Sequence, residues 1–408
     1  MGRGYRRAVV ATPAAAGSSP AAFEVLVPPP ADGTNRARLG RLELAHGVVE
    51  TPQFMPVGTN ASVKALHPDD LDAAGATIIL ANTYHLMLRP GHERIQRLGG
   101  LHGFMSWDRP ILTDSGGFQV VSLAESRVID EDGVTFRSHV DGSLQRLTPQ
   151  SAMEVQASLG SDVAVVLDHP VYPSSPREVV EDATDRTHRW AERSLAAHRR
   201  LVEDRGLGQA TFGVIQGGLE PDLRERSTRF IAGLPFDGIN IGGLAGDETP
   251  GQRREALDVV IPLLDGDPRP RYLMGLGSPD DLLDAVLAGV DLFDSVLPTR
   301  VARTGQVWVP GARLNLRNAA FLDDPRPIQE DCGCLACARF SRAYIAHLFR
   351  ARELLGYRLA TCHNLTFTLD FMARIRAAIA ARTLPESLSE LRLRASRGSD
   401  SALPGEPA

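Results

Sequence analysis

The sequence predicts an α/β chain folded as a (β/α)8 TIM barrel, with an inserted β-hairpin and a small C-terminal subdomain. Three observations carry this. Eight short runs are apolar throughout, longer stretches of helical periodicity separate them, and run after run ends on a polar residue or a glycine. Strands without alternation are buried on both faces, as in a parallel sheet covered by helices. Eight of them suit a closed barrel. The endings decide the architecture. A barrel gathers its C-terminal strand ends at one mouth, whereas a doubly wound sheet, the alternative, spreads them along an edge.

In chain order the runs are TPQFMPVG from Thr51, TIILANT from Thr77, PILTDSGG from Pro110, DVAVVLD from Asp162, ATFGVIQGG from Ala210, GINIGG from Gly238, RYLMGLG from Arg271 and LFDSVLP from Leu292. They end at or near Asn82, Asp114, Asp168, Gln216, Gly243, Gly275 and Asp294. Between them, the segment from Ser175 places Val179, Val180, Ala183, Thr187, Trp190, Ala191 and Leu195 at helical spacing. SPDDLLDAVLAGV opens with Ser278 as an N-cap, Pro279 at the first helical position and acids in the first turn. The insertion from Arg127 carries turn signals at Glu131-Asp132-Gly133 and Val140-Asp141-Gly142, and reads as an antiparallel hairpin. The ends are low in complexity. Residues 1–22 and 393–408 are expected to be disordered, leaving 23–392 as one barrel domain that includes the subdomain at about 305–370.

The chain has 408 residues, 43% of them hydrophobic, and a formal net charge of -6. That charge excludes a protein held to nucleic acid by its overall field, though not one with a local basic groove. No apolar run reaches the 18 or so residues that span a bilayer, so no membrane is expected. Arg6 and Arg7 precede a stretch broken by Pro13, Gly17 and Pro20, which is too short for a signal peptide. Four cysteines, three of them close together, indicate a metal site in a reducing compartment, the cytosol.

Cys332, Cys334 and Cys337 lie in one short loop that cannot meet disulfide geometry. Their thiolates suit three corners of a tetrahedral zinc site. His363 and Cys362 are candidates for the fourth, with His347 behind them. Four protein ligands would close the shell and make the zinc structural.

Asp114, Asp168 and Asp294 each end a strand, and a barrel would bring all three to one mouth. A pair of carboxylates is what glycosidic chemistry needs, one at the anomeric carbon and one managing the proton of the leaving group. The third, with Gln216 and the backbone near Gly243, could read a purine edge.

With those motifs in place, the stretch from about Ala37 to Ile379 resembles the tRNA-guanine transglycosylase family. The resemblance rests on HGVVETPQFMPVGT, ANTYHLMLRPG, ILTDSGGFQV, FGVIQGG, IGGLA, YLMGLG, FDSVLPTR and the Cys-x-Cys-x2-Cys with its distant His. It implies a (β/α)8 barrel with a zinc-binding subdomain, and a homodimer. By motif it makes Asp294 the nucleophile and Asp114 the general acid/base. Asp168, Gln216, Gly243 and Leu244 would bind the base, Phe118 and Met274 would sandwich it, and Arg300 and Arg303 would contact tRNA. Cys332, Cys334, Cys337 and His363 would hold structural Zn2+. The implied substrates are tRNAs with a GUN anticodon (Asp, Asn, His, Tyr) and a 7-deazaguanine base, either 7-aminomethyl-7-deazaguanine or queuine.

Two positions depart from the bacterial pattern. His169-Pro170 follow Asp168 where Glu and Cys are usual, and Gly246 stands where Val is usual, while Glu248 is retained. An enlarged pocket that admits queuine is the expectation. The alternatives are a non-catalytic tRNA-binding subunit, which would be expected to lose Asp114 or Asp294, and a zinc hydrolase, which would need an open metal position.

Overall fold

A computed structural model describes residues 20–123, 127–172 and 174–395. The extension expected over 1–22 and the tail expected from 393 lie mostly outside these residues. Ala22 opens the first strand, and Leu393–Ala395 end the last helix.

The eight apolar runs form one closed barrel. Its strands are β4 (Gln53–Gly58), β5 (Ile79–Ala81), β6 (Ile111–Thr113), β10 (Val163–Val165), β11 (Ala210–Ile215), β12 (Gly238–Ile241), β13 (Arg271–Leu273) and β14 (Leu292–Ser295). Every neighbouring pair is parallel, and the ring shuts where β14 pairs with β4, Asp294 opposite Met55. Three small antiparallel sheets decorate it. They are β1 (Ala22–Val27), β2 (Leu39–Leu44) and β3 (Gly47–Thr51) at the start, β7 (Arg127–Ile129), β8 (Val134–Arg137) and β9 (Leu144–Leu147) after β6, and β15 (Gln306–Val309) with β16 (Ala312–Asn315) after the barrel. The second corrects the expected hairpin. Both turn signals do make hairpins, but they share β8, so the insertion is a three-stranded meander. The first lies ahead of the eight apolar runs and is not among the elements the sequence predicts.

The helices follow their local chemistry. Ser278 accepts from the Asp281 N–H, with Pro279 first in helix Pro279–Ala288 and Asp280 and Asp281 in its first turn. Helix Pro250–Leu263 begins on a capping box between Thr249 and Gln252. In helix Arg177–Arg205 the buried stripe runs through Val180, Ala183, Thr187, Trp190, Ala191 and Leu195. Val179, expected on that stripe, is 46% exposed.

The barrel is packed on both faces of its strands, where Phe54, Met55, Phe212, Ile241, Tyr272 and Phe293 are all fully buried. Its floor, at the N-terminal strand ends, is tied by ion pairs. Arg38 donates through Nε and Nη2 to both oxygens of Asp291, at 2.9 and 2.6 Å, just ahead of β14. Asp162, ahead of β10, accepts from the His46 ring at 2.8 Å and from the Ile111 N–H at 2.8 Å. These contacts fasten the N-terminal sheet and the segments around it to the strand ends. Removing one partner of a buried pair strands the other charge, at a cost of about 3–5 kcal/mol. Arg38→Met is therefore expected to lower the unfolding free energy by about that much, measured by urea denaturation, while Arg41→Met, on an exposed pair with Glu43, shifts it by less than about 1 kcal/mol.

Candidate active site and metal centre

Asp114 leaves the end of β6 and is met by neutral donors. Asn82 Nδ2 and Gln119 Nε2 donate to Oδ2 at 2.6 and 2.7 Å, and the Thr83 N–H donates to Oδ1 at 2.8 Å. The carboxyl is buried, with no cation in contact with it among the described residues. Burial lifts its pKa to about 6, those three donors pull it back, and the negative charge of Asp294 adds to the rise.

Asp294 stands on β14 at the barrel seam. It accepts from the Tyr272 hydroxyl at 2.5 Å and the Gly275 N–H at 2.8 Å. Burial raises its pKa, and these two donors oppose the rise. Asp168 completes the set. Gln216 Nε2 donates to it at 2.7 Å and Ser115 Oγ at 3.2 Å, and burial again pushes its pKa upward. Gln216 Oε1 is buried with no hydrogen-bond partner among the described residues. The Gly242-Gly243 backbone passes so close to this amide that a Cβ on Gly243, at φ +68°, would sit 2.6 Å from Oε1, and one on Gly242 would sit 2.7 Å from Nε2. Only glycines allow that approach.

The structure thus brings Asp114, Asp168, Asp294, Gln216 and Gly243 to one mouth. Leu244 follows Gly243, buried, its carbonyl accepting from Arg253 Nε at 3.2 Å. Phe118, on helix Gly117–Leu123, is 54% exposed, and Met274 at the end of β13 is partly buried. Arg300 and Arg303 lie on helix Leu297–Arg303, directly after the Asp294 strand; among the described residues neither is in an ion pair. Glu248 accepts from the Gly246 N–H at 2.8 Å and from Arg253, which also pairs with Asp281. The His169 ring faces helix Arg177–Arg205, beside Arg186 Nη1 at 3.1 Å and tilted against Trp190. Burial, helped by Arg186, lowers its pKa to about 4.

Sequence reasoning missed Thr83, Gln119 and Tyr272 as partners of the carboxylates, and Arg224 behind the glycines. Tyr272 sits inside an apolar run and reads as core. Gln119 falls five residues after Asp114, in the first turn of the helix Gly117–Leu123 that follows it, and its place in that strand-turn-helix motif is the signal that could have found it.

Beyond the last barrel strand, Cys332, Cys334 and Cys337 converge on His363. Their Sγ atoms lie 3.7, 3.7 and 3.3 Å from its Nδ1. A tetrahedral ion with metal–sulfur bonds of about 2.3 Å and a metal–nitrogen bond of about 2.0 Å has S···N edges of roughly 3.6 Å. His363 Nε2 donates to the Trp308 carbonyl at 2.7 Å, which leaves Nδ1 its lone pair for an ion. The donor set therefore fits a closed metal site, and Cys362 stands outside it.

A parallel barrel with carboxylates of raised pKa at its C-terminal mouth, and a metal-fit group set apart from them, is the architecture of a barrel enzyme whose paired carboxylates suit glycosyl transfer. The profile of the queuine tRNA-ribosyltransferase family matches residues 32–396. The queuine tRNA-ribosyltransferase of Moorella thermoacetica is 53% identical over 87% of this chain and 93% of its own. Those of Symbiobacterium thermophilum and Desulforudis audaxviator are 52% and 54% identical, over 87% and 88% of this chain and 87% and 94% of theirs. The chain belongs to the queuine tRNA-ribosyltransferase family, and is a pentosyltransferase.

The folded pKa of Asp114 lies above its unfolded value of 3.8, so its proton is bound more tightly in the folded state. Stability from this group is full below pH 4 and is lost as pH rises through 6, by on the order of 3 kcal/mol. Infrared titration is expected to show a carboxyl band disappearing near pH 6 that is absent in Asp114→Ala, and that variant loses the matching fall in unfolding free energy.

Proposed function

We propose that this enzyme exchanges the wobble guanine of GUN-anticodon tRNAs (Asp, Asn, His, Tyr) for a 7-deazaguanine base, by double displacement through an aspartyl–ribosyl intermediate. The observation that carries it is the pair Asp114 and Asp294, buried, held only by neutral donors among the described residues, and close enough for the charge of one to raise the pKa of the other. The target nucleotide leaves its stack and enters the mouth between Phe118 and Met274, with stacking and edge hydrogen bonds offsetting the unstacking. Asp168, Gln216, Gly243 and Leu244 bind the base edge. The unpartnered Gln216 Oε1 suits a purine N–H donor.

An Asp294 oxygen attacks C1′ of the ribose and the bond from C1′ to the base nitrogen breaks. The electron pair passes to the purine, which takes the proton of Asp114. The incoming base gives a proton back to Asp114 and attacks C1′, and the Asp294 ester bond breaks. One N-glycosidic bond replaces another, so no ATP is consumed. Tyr272 and the Gly275 N–H steady the carboxylate of Asp294 before attack. Arg300 and Arg303 contact the tRNA, a local basic grip on a chain of net charge -6. The assembly is a homodimer in the cytosol.

The metal is zinc, held by Cys332, Cys334, Cys337 and His363. When bound it supplies cohesion to the subdomain rather than a reactive site, because four protein ligands leave no open position. Gly246 leaves the loop before Glu248 without a side chain, and the incoming base is either 7-aminomethyl-7-deazaguanine or the larger queuine.

Incubation with radiolabelled guanine and an unmodified GUN tRNA is expected to label the tRNA with the wild type and not with Asp294→Ala. A folded wild type that incorporates nothing defeats the reading. Metal analysis is expected to find one zinc per chain, lost in His363→Ala together with a lower melting temperature. A queuine KM far above that of the aminomethyl base would exclude queuine as the substrate.

A further inference from the structure

Arg224, on helix Pro221–Ala232, is fully buried and touches no carboxylate among the described residues. Its guanidinium is spent on backbone. Nε donates to the Gly218 carbonyl at 2.7 Å, Nη1 to the Gly242 carbonyl at 2.8 Å and Nη2 to the Gly243 carbonyl at 3.4 Å. Burial pulls its pKa down to about 9, partly countered by the charge of Glu248. A buried cation without a contacting counter-ion is costly, and bonds to carbonyl oxygens repay only part of that. Its position therefore calls for an explanation other than stability.

The two ends of a trans peptide point in opposite directions. The Gly242 carbonyl shares its peptide with the Gly243 N–H, and the Gly243 carbonyl shares its peptide with the Leu244 N–H. Arg224 holds the carbonyl ends, so the N–H ends point away from it. Neither N–H has an acceptor among the described residues. Two unpaired amides backed by one buried charge make a donor pair in front of Gln216, whose amide lies within 2.6 Å of where a Gly243 Cβ would be.

We propose that Arg224 is a positioning residue that charges this donor pair through the two peptides, so that the site holds the C6 oxygen of the purine and the negative charge that gathers there when the base departs. This rests on the base-exchange reading above. When the C1′–nitrogen bond breaks, its electron pair is shared out over the purine to that oxygen until Asp114 delivers its proton. Hydrogen bonds polarised by a charge are about twice as strong as neutral ones, and preorganised donors aimed at developing charge lower the barrier more than they tighten ground-state binding.

The experiment compares guanine with 2-aminopurine, the same ring system without the C6 oxygen, by calorimetric binding to wild type, Arg224→Gln and Arg224→Lys. Arg224→Gln is expected to weaken guanine about tenfold (~1.4 kcal/mol) and to leave 2-aminopurine within about twofold, with Arg224→Lys recovering part of the difference. Equal weakening of both purines means that Arg224 only shapes the loop, and overturns the proposal; so does weakening of neither. Should Arg224→Gln fail to fold, isotope-edited infrared of guanine on the wild type decides. The C6 carbonyl stretch is expected below its frequency in water, and a stretch at or above that frequency overturns the proposal. Failure of tRNA labelling by the wild type would instead defeat the base-exchange reading, and the purine comparison does not depend on it.

Discussion

The mouth of this barrel is organised by one electrostatic constraint: its three carboxylates are buried among neutral donors. Asp114 meets two amides and a backbone N–H, Asp168 an amide and a hydroxyl, and Asp294 a phenol and a backbone N–H. Away from the mouth the same residue type is treated differently. Asp291 is clamped by Arg38, and Asp324 by Arg326 and Arg342. Burial pushes Asp162 upward, but His102 and His46 outweigh it and bring its pKa to about 2. Cations fix a carboxylate in its charged form, and neutral donors leave it able to take a proton. The fold can be rigid at its floor and reactive at its mouth because the two ends use opposite partners.

Much of this was legible in the sequence. All eight barrel strands lie within the apolar runs, since strands buried on both faces need continuous apolarity and little else does. The strand-end carboxylates, Gln216 and the cysteines were legible too, because polar residues that end such runs share one mouth in a closed barrel. Other features were not. The β1–β3 sheet has half-exposed strands, and β2 and β3 alternate in a way that a surface loop can mimic. The third strand of the meander was hidden because two turn signals fit one hairpin with a long arm as well as they fit two. Tyr272 and Arg224 escaped for a common reason. Each is a polar group buried by tertiary packing, and nothing local marks which way its head turns.

The metal group and the mouth are joined by one helix, Leu354–Ala380. His363 holds the Trp308 carbonyl, and its neighbour Asn364 accepts from the Trp308 N–H and donates to the Pro298 and Gln306 carbonyls. Pro298 begins the turn that carries Arg300 and Arg303, four residues beyond Asp294. Two adjacent side chains therefore span from the cysteine loop to the segment that leaves the last barrel strand. The helix that carries His363 thus also helps set where that segment lies.

The seam between β14 and β4 also fixes an order of events during synthesis. Gln53 and Leu292, opposite each other in it, are 239 residues apart, so the first barrel strand leaves the ribosome long before its partner exists. Until then β4 presents an apolar edge that another chain could pair with. Pro56, opposite Ser295 in the finished seam, offers no N–H to such a partner. A residue that looks like a flaw in a central strand thus costs that strand one donor during the interval when it is an edge.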